Sequence, residues 1–116
     1  MSMPDLTCPT HADAPAATYI RGETSVLPGD HAQYTCTSAV ADPVADIFVR
    51  VTDQDGDNIP IAVKTLPAMK SRKAFSSRIS FEIEFIDTID HVEIECKAEN
   101  DVGEAVSTHN TVVTCE

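Results

Sequence analysis

Apolar and polar residues alternate along most of this chain. In HAQYTC, residues 31–36, Ala32, Tyr34 and Cys36 share one side. In DIFVRV, residues 46–51, Ile47, Val49 and Val51 do the same. RISFEIEF, residues 78–85, sets Ile79, Phe81, Ile83 and Phe85 against Ser80, Glu82 and Glu84. HVEIECKA, residues 91–98, sets Val92, Ile94, Cys96 and Ala98 against Glu93, Glu95 and Lys97. A period of two is the mark of a strand with one buried and one wet face. The closing VSTHNTVVTC is rich in Thr and Val, which also suits a strand. Turn signals separate these runs: Pro28-Gly29-Asp30, Asp55-Gly56-Asp57, Pro67, and Asn100-Asp101-Val102-Gly103. No amphipathic helix is evident. Short strands of this kind must bury one face against another sheet, which predicts an all-β sandwich.

Length and charge narrow the setting. The 116 residues suit one domain, and an apolar fraction of 42% suffices for a packed core. No run approaches the ~18 apolar residues of a membrane span, and no basic stretch leads into an apolar one as in a signal peptide. The opening MSMPD reads as an artificial start. A net charge of −11, from 19 acidic and 8 basic residues, argues against nucleic acid and anionic membrane as partners. A basic protein surface or metal cations stay open.

One stretch points at calcium. DQDGDNIP, Asp53 to Pro60, has the alternating aspartates of an EF-hand loop at positions 1, 3 and 5. Position 6 is then Asn58 instead of glycine, and position 12 is Lys64 instead of a bidentate glutamate. An EF-hand also needs flanking helices, whereas IFVRV before the loop reads as strand, and Pro60 and Pro67 follow it. The expectation is a solvated strand-connecting turn with no specific metal.

The four cysteines, Cys8, Cys36, Cys96 and Cys115, favour a disulfide reading over zinc. No CxxC or HxxxH spacing exists, and His11, His31, His91 and His109 are scattered. Disulfides imply an oxidising setting, although buried cytosolic thiols would look the same. The alternation turns Cys36 and Cys96 inward. Facing each other across two sheets they can form one bridge, worth roughly 4 kcal/mol in the chain-entropy model.

Two segments carry a family resemblance. LPGDHAQYTC, residues 27–36, resembles the A′–B stretch of an immunoglobulin-superfamily domain of the I-set. DHVEIECKAENDVGEA, residues 90–105, resembles its strand F to G signature, with Asp90, Cys96, Ala98, Asn100 and Gly103 matching. The likeness covers roughly residues 15 to 114 and implies an immunoglobulin-like two-sheet Greek-key sandwich. Residues 1–14 then form the start and an inter-domain linker, and 15–116 a single domain. Two departures stand out. The chain has no Trp, and Val49, with Phe48 as runner-up, occupies the place of the strand C Trp that packs on the disulfide. The tyrosine corner is absent, because Ile94 precedes Cys96 by two residues; its hydroxyl bond is expected to be missing and the strand E Phe and Ile residues to fill the core.

Function follows from the resemblance and from what the residues lack. No nucleophile stands at a recognisable spacing from a His, the histidines show no identifiable acidic partner, and Glu82/Glu84 and Glu93/Glu95 read as solvated strand faces. An enzyme is not expected, nor a cofactor. Domains of this family usually stand in tandem arrays. Leu6-Thr7-Cys8 resembles Val113-Thr114-Cys115, as if each ended a domain's last strand. That implies a module of an extracellular, membrane-anchored adhesion receptor, spacing its neighbours or binding other proteins. Those would be adhesion receptors or adjoining immunoglobulin domains. SAVADPVADIFV, residues 38–49, resembles nephrin-like receptors. The expected binding face carries Phe48, Arg50, Glu93, Glu95 and Lys97. The alternative is an intracellular titin-like filament module with reduced thiols. Cys8–Cys115 is the arithmetic second bridge. However, the family's chain comes in at one pole and leaves at the other, farther apart than the ~7 Å a bridge allows. Each is therefore expected to be free or paired outside the domain, unless the segment from Pro9 to Ile20 folds back along the last strand and lets Cys8 and Cys115 bridge.

Overall fold

The computed structural model describes residues 13–71 and 74–114. Strands follow one another as β1 (Thr18–Arg21), β2 (Ser25–Val26), β3 (His31–Ser38), β4 (Asp46–Asp53), β5 (Val63–Ser71), β6 (Ala74–Glu84), β7 (His91–Glu99) and β8 (Glu104–Val113). One sheet has the order β1-β3-β6-β5 and the other β2-β8-β7-β4. Neighbours are antiparallel except β2, which runs parallel to β8. The result is the all-β, immunoglobulin-like two-sheet sandwich, with β4, β7 and β8 as one layer and β3, β6 and β5 as the other.

Burial follows the alternation. Tyr34, Cys36, Val51, Phe81, Ile83, Phe85, Val92, Ile94, Cys96 and Ala98 are all buried. Between the sheets Cys36 and Cys96 form a disulfide, with Cα atoms 6.5 Å apart. Ile79 packs on the bridge, with Ile20, Ile47 and Val49 partly buried beside it. Val49 is the register partner of Cys96 and takes the place expected of the Trp. Phe48 does not, since it is 53% exposed. The larger part of the core lies beyond, around Tyr34, the β6 side chains Phe81 and Ile83, and Phe85 just after β6.

Tyr34 is the aromatic centre. Its ring stacks on Phe81 at 5.6 Å between centroids and meets His109 edge-on. Its hydroxyl lies 2.8 Å from Thr111 Oγ1, and Thr111 in turn donates to the Glu23 carbonyl at 2.6 Å. The Thr111 proton is thereby committed, so Tyr34 is the donor to Thr111. Ile94 is fully buried, and no tyrosine stands at that corner. A tyrosine hydroxyl bond missing there is made instead from β3 to β8, across the sandwich. Gly22 makes room for it: a Cβ at residue 22 would overlap Cδ2 and Cε2 of the Tyr34 ring. The buried polar side chains are likewise bonded, Thr18 to the Cys96 carbonyl and Ser38 to the Ser77 amide.

Pro67 is not a turn. It lies inside β5, an edge strand, where the register shifts between Leu66 and Met69. An edge needs no inward donor at every residue, and a bulge removes the need at Pro67, so proline is tolerated. Its carbonyl accepts from the Arg78 guanidinium.

Candidate functional site

The flat outer face of the β4–β7–β8 layer carries the residues singled out as a binding face. The ladder sets Phe48 beside Lys97, Arg50 beside Glu95 and Thr52 beside Glu93. Even positions of β4 and odd positions of β7 point out because their neighbours Ile47, Val49, Ile94 and Cys96 must point in. All five side chains, Phe48, Arg50, Glu93, Glu95 and Lys97, therefore share one surface. β8 extends it, placing Val106 beside Lys97 and Glu104 beside Glu99. These β8 positions were not legible beforehand, because the Thr- and Val-rich stretch has no clear apolar side and only its register with β7 orients it.

Several charges on this face are paired, across strands and along β7. Arg50 Nη2 donates to Glu95 Oε1 at 3.0 Å. Lys97 Nζ lies 3.5 Å from Glu99 and 3.6 Å from Glu104. Glu104 first, then Glu99, holds the Lys97 ammonium above the ordinary lysine value. The same ammonium sits 6.0 Å from the Phe48 ring centroid, at the limit of a cation–π contact. Phe48, Arg50, Glu95, Lys97 and Glu99 line a shallow depression. With Val106 also 47% exposed, an apolar row of Phe48 and Val106 flanks the lysine inside an acidic border. Such a surface can recognise a protein by shape and charge, with ion pairs that are exposed and worth little to stability.

Two other clusters of ionisable side chains lie away from this face. Asp53, Asp55 and Asp57 bring carboxylate oxygens within 4.8 Å of one another. Asp53 Oδ1 accepts the amides of Asp55 and Asp57, and Asn58 bridges back to Thr52. The left-handed residue is Gly56, at φ 84, and not Asn58, so the loop is built as a tight turn leaving β4. His31 corrects an expectation. Its Nδ1 lies 2.8 Å from Glu82 Oε2 and its Nε2 3.7 Å from Glu84 Oε2. Sequence spacing hid these acidic partners because the β3–β6 ladder supplies them, pairing His31 with Glu84. The group is exposed on the outer face of the other sheet.

Cys8 and Cys115 lie outside the described residues. No helix among the described residues is long and apolar enough to cross a membrane. Set against known protein families and curated proteins, the chain matches none of them.

Proposed function

We propose that this chain is a non-catalytic immunoglobulin-like module of a multi-domain cell-surface adhesion or recognition receptor, a spacer or a protein-binding domain. The observation that carries the reading is the buried Cys36–Cys96 bridge. Disulfides persist in oxidising compartments, and an inter-sheet bridge in such a sandwich fits an extracellular life. The finer likeness, to I-set domains and nephrin-like receptors, belongs to the same proposal. It draws support from the split first strand, β1 joining one sheet and β2 the other ahead of the Pro28-Gly29 turn. Binding would use the Phe48, Arg50, Glu93, Glu95 and Lys97 face. A net charge of −11 favours a basic protein partner over nucleic acid.

Thiol mapping on protein taken from its native source tests the proposal. Unreduced peptides should carry Cys36 joined to Cys96. Alkylation of either cysteine in native protein would move the chain to the intracellular filament class.

A further inference from the structure

The two sheets end in four edge strands, and three of these are short or interrupted. β1 spans only Thr18–Arg21 and β2 only Ser25–Val26. β5 carries Pro67 and a bulge. Short strands, prolines and bulges are the usual means of keeping an edge from pairing with another chain. Among the described residues, β4 has none of these in Asp46–Arg50.

Its outer edge is partly used. Ile59 donates to the Val51 carbonyl at 2.8 Å, and Asp53 donates to the Asp57 carbonyl at 3.0 Å. These bonds fall on the side of β4 away from β7, so Val51 and Asp53 turn their backbone groups outward from the sheet. By alternation Ile47 and Val49 do so too. Their amides and carbonyls have no partner among the described residues. The returning loop covers the edge from Val51 onward and stops there, leaving Asp46–Arg50 open. Beside it runs an apolar groove lined by Val44, Ile47, Leu66, Ala68 and Ile79.

The order Asp-Ile-Phe-Val-Arg is complementary to itself when reversed. In an antiparallel pair centred on Phe48, Ile47 of one copy exchanges hydrogen bonds with Val49 of the other. Phe48 then lies across from Phe48, an aromatic pair. Asp46 lies across from Arg50, and Arg50 from Asp46. Opposite charges and aromatic pairs directly across a ladder stabilise it, whereas like charges there destabilise it. Arg50 keeps a free face of its guanidinium for this, since Glu95 engages Nη2.

We propose that the open Asp46–Arg50 edge of β4 pairs antiparallel with the same edge of a second copy of this chain, about a two-fold axis at Phe48. The contact joins the two β2-β8-β7-β4 layers into one continuous sheet. It shares Phe48 and Arg50 with the flat face but stands without the receptor reading, because it rests on backbone groups and on residue order. The ladder is far smaller than a standard interface, and each copy carries a charge of −11. The dimer is therefore weak, with Kd on the order of 0.1–1 mM at physiological salt.

Sedimentation and amide NMR over a concentration series test it on the purified chain. Amide signals of Ile47 and Val49 should move together as the dimer fills. Asp46→Arg alone and Arg50→Asp alone each place like charges across the ladder and should weaken association by about tenfold or more. An equal mixture of the two variants restores opposite charges at both positions, and should associate at least as tightly as the parent chain. Gln33→Ala, exposed on the other sheet and neutral in charge, should leave self-association unchanged. A chain that stays monomeric at millimolar concentration overturns the proposal. So does association that ignores both charge reversals, or that responds to Gln33→Ala instead.

Discussion

Around the Cys36–Cys96 bridge the core is thin. Among the described residues Ile79 is the only other buried side chain in that cluster, and Ile20, Ile47 and Val49 close over it only in part. Around Tyr34 the core is dense and aromatic, with Phe81 stacked on the ring, His109 at its edge and Phe85, Ile83 and Ile94 fully enclosed. Tyr34 and Cys36 stand on the same inward face of β3, two residues apart. In a domain with a strand C Trp, aromatic mass would lie against the disulfide. Here Val49 stands there, and the large rings sit further along β3. The lesson is that covalent and non-covalent ties between sheets can be separated. The bridge tolerates sparse surroundings because its contribution lies largely in restricting the unfolded chain. The tyrosine end depends on shape, which demands close packing and a glycine beneath the ring.

The comparison can be broken most severely at the covalent end. Replacing Cys36 and Cys96 together by Ala should cost about 4 kcal/mol in urea denaturation. The Tyr34–His109 ring contact should survive as a ring-current shift in the NMR spectrum of the folded fraction. Loss of that contact would show the two ends to be one cooperative unit.

Gly22→Ala attacks the other end, and should cost about 3 kcal/mol by overpacking against the Tyr34 ring. A cost below about 1 kcal/mol would mean that the ring moves aside easily, and the distinction between the ends would blur. Tyr34→Phe keeps the ring and deletes the hydroxyl. Thr111 still has the Glu23 carbonyl, so the loss should stay at about 1 kcal/mol.

The smallest effect is one of pH. Burial is the main reason that the Tyr34 hydroxyl holds its proton above the ordinary 10.0, and the Glu23 charge adds to it. The unfolded chain begins to release that proton near pH 10.0 while the folded chain still binds it. Folding stability from this group is complete below pH 10.0 and is lost as pH rises through the folded value. Denaturation midpoints measured across alkaline pH should fall for the parent chain and fall less for Tyr34→Phe.

Much of this architecture is legible in residue order. The alternation in residues 31–36, 78–85 and 91–98 is strict because each strand divides a wet face from a dry one, and every inward position named from it is buried. β5 was not legible. Pro67 reads as a turn when strands are assumed to need every donor, and only its place at an edge with a bulge makes it acceptable. The flat face was half legible: β4 and β7 declare their outward residues, whereas β8 does not. His31 with Glu82 and Glu84, and Gly22 beneath Tyr34, are products of register and of a strand crossing between sheets. No local pattern marks them, since nothing near residue 22 reveals which ring will lie on it.

The Asn100 side chain gives the fold a direction under load. Its Nδ2 donates to the Asp13 and Pro43 carbonyls, and its Oδ1 accepts the Val102 and Gly103 amides. Asp13 is therefore pinned at the turn where β8 begins. Thr114, just beyond the far end of β8, is held by the Val26 carbonyl. The two anchor points are about 30 Å apart along the strand axis. Tension pulling residues 13 and 114 apart therefore runs along the strands. It reaches the parallel β2–β8 ladder in shear, with its hydrogen bonds strained together instead of peeling open one after another.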